Sequence, residues 1–269
     1  MLHKLERVDP ILNTPPFTQA EVSYNLLHRI CGDAEVLGWK STDGNMIFAQ
    51  TPGHRAWLWI YDSVEGPERN RYISELIDAL RGISIPGICS GPETAERFAA
   101  AYSKDRRCMF RTHMAMEAYY CPKVIRPLNV NGTMRRASRQ DAETVAGFLA
   151  NFSTDAYGVR SEPSVQRLAA ERMIDAGNLC LWLVNGIPVS MANIAHRSAR
   201  HARINSVFTS PRHRKNGYAS ALVAELCAVI RSEYLVPILY ADLKNPDSNK
   251  LYAGIGFVGC GKIADLKFT

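Results

Sequence analysis

Apolar positions along this chain recur with two periods, and each change of period marks a change of element. A helical stripe over 19–30 gives way to strand-like runs at 35–40, 45–50 and 56–61. Thr42-Asp43-Gly44-Asn45 supplies a hairpin turn between the first two. Trp57 and Trp59 flank Leu58, so they share one face of their strand, and that face reads as core. A helix over 69–80 follows, then a buried strand over 83–89. Another helix opens at Gly91-Pro92-Glu93, and an alternating strand over 108–120 ends before Pro122.

The stretch from Arg126 through Pro127 to Gly132 lacks periodicity and reads as a linker. Beyond it the pattern is clearer. A short strand over 133–137 leads to Ser138 with Asp141 three residues on, an N-cap signature. Val145, Phe148, Leu149 and Phe152 stripe the helix that follows, and a second helix spans 164–176. Three strands come next, at 179–184, 188–196 and 203–209, with the Asn185-Gly186 pair turning the first into the second. A long helix over 216–233 carries Leu222, Leu226, Val229 and Ile230 on one side. A strand at 238–242, a short helix from Pro246 and a last strand over 256–267 complete an α+β (α/β) order around a mixed sheet, with one helical crossover.

Composition adds limits. At 46% hydrophobic and 22% charged residues the chain can bury an ordinary core and is not a disordered polymer. No apolar run reaches bilayer length, and the first residues carry charge without an apolar core, so no membrane association and a cytoplasmic protein are expected. The cysteines are scattered without a C-x-x-C pair, which argues against a disulfide framework or a metal site. The net charge of +6 is unevenly placed: 176–224 holds no Asp or Glu, yet contains Arg197, Arg200, Arg203, Arg212, Arg214, Lys215 and three histidines. Such a stretch is either a solvated basic face or a site for a polyanion, nucleic acid or phosphate-bearing cofactor alike.

The chemistry concentrates at the end of that stretch. A strand stops at Pro211, a basic turn follows, and Gly217 with small residues opens a helix. The first amides of a helix lack internal partners and face outward at the positive end of the dipole, so this strand–turn–helix can cradle a pyrophosphate. It is not a P-loop, since no G-K-[ST] follows. A G-x-G-x-x-G string at Gly254, Gly256 and Gly259 follows a helix instead of a strand, so the context required for a dinucleotide fingerprint is missing.

Arg214-Lys-Asn-Gly217-Tyr-Ala219 resembles the R/Q-x-x-G-x-G/A loop of the GNAT acetyltransferase superfamily. The run from Asp242 through Asn245, Asn249 and Tyr252 to Phe257 resembles that family's second cofactor motif, in the right order. More narrowly, the chain is similar to tandem GNAT proteins and glycine N-acyltransferase-like proteins, whose degenerate N-terminal half precedes an active one. The resemblance implies two GNAT-like domains, 1–127 and 128–269, each with a mixed, mainly antiparallel sheet flanked by helices. It implies transfer of an acetyl or other short acyl group from coenzyme A to a primary amine on a small molecule or peptide. Val207, Phe208 and Thr209 would align the pantetheine arm. Arg214 and the amides of Lys215, Asn216, Gly217, Tyr218 and Ala219 would hold the pyrophosphate. Asn245 and Asn249 would contact the pantetheine or the helix entry, and Tyr252 would protonate the leaving thiolate.

Two departures stand out. Lys215 occupies a position that is Gly in many relatives, and the strand 203–209 carries no carboxylate to act as a base; Asp242 is a candidate for that role or for ordering the loop after it. In the first half, Ile85 to Glu96 repeats a strand–turn–helix outline without an arginine. Glu93 and Glu96 in its first turn would repel phosphate, so this half is expected to bind no coenzyme A. A nucleic-acid-binding protein remains the alternative from another class, although no motif of that kind is present, and a non-catalytic acyl-CoA sensor is the alternative within the fold. The acceptor, and whether the chain forms a homodimer, are left open.

Overall fold

The structure, a computed structural model, describes residues 1–269. It divides into two compact units. One comprises Met1–Tyr119, Tyr240–Asn245 and Gly259–Thr269; the other comprises Tyr120–Leu239 and Pro246–Val258.

The first unit contains β1 (Leu2–Lys4), α1 (Phe17–Tyr24), α2 (Leu26–Cys31), β2 (Leu37–Ser41), β3 (Met46–Gln50) and β4 (Ala56–Ile60). It continues with α3 (Gly66–Ala79), β5 (Gly87–Ser90), α4 (Pro92–Arg106) and β6 (Phe110–Tyr120). β1 to β4 pair in sequence as antiparallel neighbours, and β5 pairs parallel to β4 through Ala56↔Ile88 and Trp57↔Cys89. Alternation along the strands sorts the core into two layers. Phe48, Leu58 and Ile88 pack with Leu76 of α3 and Phe98 of α4. Ile47, Trp57 and Trp59 face the other way, against Phe17 and Leu27 of α1 and α2. The single helix expected over 19–30 is two, broken at buried Asn25, whose amide donates to Glu21. β1 has no counterpart among the sequence expectations, because three residues are too few to show alternation.

The second unit contains β7 (Thr133–Arg136), α5 (Ala142–Tyr157), α6 (Pro163–Asp175), β8 (Leu179–Val184), β9 (Ile187–Arg197) and β10 (His201–Thr209). α7 (Tyr218–Ser232), the start of β11 (Val236–Asp242) and α8 (Pro246–Ile255) follow. β7 to β10 are antiparallel neighbours in sequence order, and β11 pairs parallel to β10. Val145, Phe148 and Leu149 of α5 pack with Ile174 of α6 on Leu181, Met191 and Phe208 of the sheet, while α7 lies against β8, β9 and β10.

The last strand, β12 (Val258–Phe268), departs from the expected division at 127/128. It stands between β5 and β6 in the first unit's sheet, registered antiparallel to β5 from Ala264↔Ser90 to Lys267↔Gly87. The two compact units are therefore not consecutive pieces of chain. Its buried Ile263, Ala264 and Leu266 belong to the first unit's two core layers.

The N-cap read at Ser138 is a capping box leading through a 3-10 turn into α5. Asp141 accepts from the Ser138 backbone N–H at 2.7 Å and takes two bonds from the Arg135 guanidinium, each 2.8 Å. The guanidinium and the two Ser138 donors outweigh burial and hold the Asp141 carboxyl down at about 2. A depressed carboxylate stabilises the fold above its unfolded pKa, and that contribution is lost as pH falls through the folded value. Asp141→Ala should therefore lower unfolding free energy by about 1–2 kcal/mol at neutral pH. Denaturant titrations across pH should show the gap from wild type constant above about pH 5 and closing toward pH 2.

Candidate active site on the second unit

β10 and β11 pair over only three positions, His201↔Val236 to Arg203↔Ile238, although β10 runs on to Thr209. On its other side β10 follows β9 to its end, but with a register shift between Asn205 and Phe208 and with Ser206 at φ +51°. This bulge re-aims the strand just before the residues read as the pantetheine rail. Phe208 is buried against Phe148, ring centroids 5.4 Å apart, and Val207 and Thr209 on either side are half-buried. The Ser190 hydroxyl donates to the Phe208 carbonyl at 2.7 Å, and the Thr209 carbonyl accepts from Arg214 Nε at 3.0 Å.

The chain then turns through Pro211–His213 and reaches α7 by two left-handed residues, Lys215 at φ +65° and Gly217 at φ +79°. Gly217 is the helix N-cap and supplies no side chain; no acid stands in the first turn. The first intrahelical bond runs from Ala221 N–H to the Gly217 carbonyl. The amides of Tyr218, Ala219 and Ser220 thus precede it, the arrangement that suits an anion. The Asn216 amide donates to the His213 and Arg214 carbonyls and ties the turn to itself. A Cβ on Gly217 would come within 3.1 Å of Val130 in the incoming linker.

Lys215 holds its backbone in the left-handed region, which glycine enters at the least cost. Its ammonium neither points at solvent alone nor stands free for a phosphate, because it pairs with Asp247 at 2.5 Å in the first turn of α8. That pairing holds the Asp247 carboxyl below the usual range. Arg214 is engaged too, through Nη2 to Asp155 Oδ2 at 2.5 Å, with its guanidinium 5.7 Å from the Phe208 ring centroid. Asp155 was not legible as a site residue, since 59 positions separate it from Arg214.

Asn245 immediately precedes α8, and the Asp242 carboxylate accepts from Lys244 N–H at 2.9 Å, so Asp242 orders the loop. Asn249, half-buried, lies three residues before Tyr252 on the helix. Tyr252 is buried, edge-on to Phe257 at 5.8 Å, and burial pushes its phenol above the ordinary value. A phenol so placed keeps its proton near neutral pH, where it can donate or accept a hydrogen bond.

Element order also corrects the first-half comparison. Both units run three antiparallel strands, a helix, and a strand parallel to the third. The counterpart of the β10–α7 turn is therefore the β4–α3 turn, not the β5–α4 turn at Gly91. It carries Asp62 and Glu65, and Pro67 near the start of α3 removes an amide donor. At the β5–α4 turn, the Gly91 amide is already taken by the Tyr24 hydroxyl at 2.9 Å. The acid-free stretch is likewise less exposed as charge than its sequence suggests. Arg197 is bridged by Glu233 at 2.6 Å, and Arg214 and Lys215 by acids outside the stretch. No helix is long and apolar enough to cross a membrane.

A bulged strand thus leads into an uncapped helix start, and a second strand–helix carrying a buried tyrosine follows later in the chain. Residues 146–257 match the family described as Acetyltransferase (GNAT) family. Solved structures share the fold along the whole length. An acetyltransferase from the GNAT family of Colwellia psychrerythraea is 13% identical, with 100% of each chain covered and a TM-score of 0.59. A GCN5-related N-acetyltransferase from Sphaerobacter thermophilus is 14% identical over 100% of this chain and 95% of its own, TM-score 0.61. A Drosophila protein, also 14% identical, covers 100% and 98%, TM-score 0.64. No curated protein matches the sequence.

The glycines of the G-x-G-x-x-G string separate by role. Gly256 sits at φ +102°, and a Cβ there would lie 2.2 Å from the Lys123 carbonyl; Gly254, inside α8, has nothing within 4 Å. Gly256→Ala should cost more than about 3 kcal/mol through strain and clash. Gly254→Ala should be neutral or stabilise by up to about 1 kcal/mol. A urea unfolding midpoint lowered by Gly256→Ala and unchanged or raised by Gly254→Ala would bear this out.

Proposed function

We propose that this protein is an N-acyltransferase that moves an acetyl or another short acyl group from coenzyme A to a primary amine on a small molecule or peptide. The observation that carries the reading is the first turn of α7, which no side chain caps and no acid occupies, framed by Arg214 and Lys215. These residues fit a pyrophosphate: amides at the positive end of a helix, a glycine that permits close approach, and the Arg214 guanidinium beside them. The bulge at Ser206 and the short β10–β11 pairing support Val207 and Thr209 as backbone partners of a pantetheine arm. Asn245 and Asn249 would contact the pantetheine arm or the helix entry. Coenzyme A would supply an activated thioester. Tyr252, whose buried phenol keeps its proton, would donate it to the departing sulfur. β10 offers no carboxylate and Asp242 is held in its own turn, so no side chain is assigned as base. The reading keeps a cytoplasmic location, and it gives the first half no cofactor.

A ligand that binds only the folded chain raises the melting temperature by mass action, by about 2.7 kcal/mol of stability at a hundredfold excess over Kd. Acetyl-CoA at millimolar concentration should therefore shift the midpoint by several degrees. No shift with acetyl-CoA or with longer acyl-CoAs would end the proposal. Tyr252→Phe keeps the ring against Phe257 and removes only the proton. It should cut kcat by about 100-fold or more, with coenzyme A affinity changed by less than twofold. Cofactor binding by the wild type without turnover on any amine would instead mark an acyl-CoA sensor.

A further inference from the structure

Asp155 lies in the last turn of α5, a place where the helix dipole disfavours an acid and where α5 carries no basic residue to compensate. Its own helix gives it no reason to be there. Its partner is Arg214 Nη2 at 2.5 Å, on the turn assigned above to the pyrophosphate. The same guanidinium is held from behind by Nε on the Thr209 carbonyl at 3.0 Å and lies over Phe208. Asp247 differs: as an acid in the first turn of α8 it is favoured by that helix's dipole whether or not Lys215 is near.

Resting on the reading of Arg214 as a pyrophosphate ligand, we propose that Asp155 is a latch on the cofactor turn, holding the Arg214 guanidinium until the pyrophosphate takes it over. Both side chains are nearly half exposed, at 42% and 46%, so the pair is weak enough to be exchanged for a dianion. The latch fixes Arg214 in the empty site and sets a ceiling on affinity, because each binding event breaks one ion pair to form another. Product coenzyme A carries the same pyrophosphate, so Asp155 opposes product retention as much as donor binding.

The test is a double-mutant cycle read by calorimetry on the full chain, with coenzyme A and with pantetheine, which lacks the pyrophosphate. Asp155→Asn should tighten coenzyme A about threefold to fivefold at low salt, the range a pair of this exposure supplies, and leave pantetheine unchanged. Arg214→Ala should weaken coenzyme A tenfold or more, and adding Asp155→Asn to it should change nothing further. Asp175→Asn, which removes an acid paired with Arg139 elsewhere, should leave both ligands as in wild type. If Asp155→Asn leaves coenzyme A unchanged or weakens it while Arg214→Ala still costs tenfold, Asp155 positions Arg214 and the latch is wrong. Equal tightening in the Arg214→Ala background makes the effect one of overall charge and also overturns it. No effect of Arg214→Ala would bring down the pyrophosphate reading itself, and the latch with it.

Discussion

Two parallel strands cannot be joined by a hairpin; the chain has to leave the sheet and return. β10 and β11 are parallel, so α7 must bridge them, and its start must fall where β10 stops. That one constraint places three unpartnered amides at the end of a strand. Everything peculiar to the turn serves the same junction. Pro211 ends the ladder, Lys215 and Gly217 take left-handed backbone to reverse direction, and Asn216 ties the reversal to itself. The bulge at Ser206 and the early end of the β10–β11 pairing leave β10 without a registered partner on that side beyond Arg203.

Charge around this junction is balanced from outside it. The sequence from 176 to 224 contains no acid, and read as a string it is a polycation. Folding brings Glu233 to Arg197, Asp155 to Arg214 and Asp247 to Lys215. A nucleic-acid surface needs many such cations free to displace counterions from phosphates. Here Arg197, Arg214 and Lys215 are each already matched by an acid, which removes three cations from any such surface.

How much of this was legible follows from what each signal depends on. Local rules carried far: the capping box at Ser138 and Asp141, the turn at Asn185-Gly186, the shared face of Trp57 and Trp59, and the uncapped helix start at Gly217 are all set by near neighbours. Lys215 reads as a departure from pattern, and its left-handed backbone, which composition cannot show, makes it a strained one. Asp155 was invisible because its role depends on a contact 59 residues away. The first-half comparison went astray at Gly91 because a strand, a glycine turn and a helix recur twice in this topology. Only strand direction tells the crossover turn from the later one.

The repeated element order makes the two units comparable, and they differ in charge and capping at the same turn. Where the second unit has Arg214, Lys215 and an open helix start, the first has Asp62, Glu65 and a proline at the head of α3. Yet the first half is not dispensable scaffolding that could be trimmed at residue 127. Its strand β5 is the registered partner of β12, and Ile263, Ala264 and Leu266 complete its core. The chain must pass through the whole segment from Asn245 to Phe257 before β12 can reach that place. The first unit's sheet thereby fixes the strand that follows the segment carrying Tyr252.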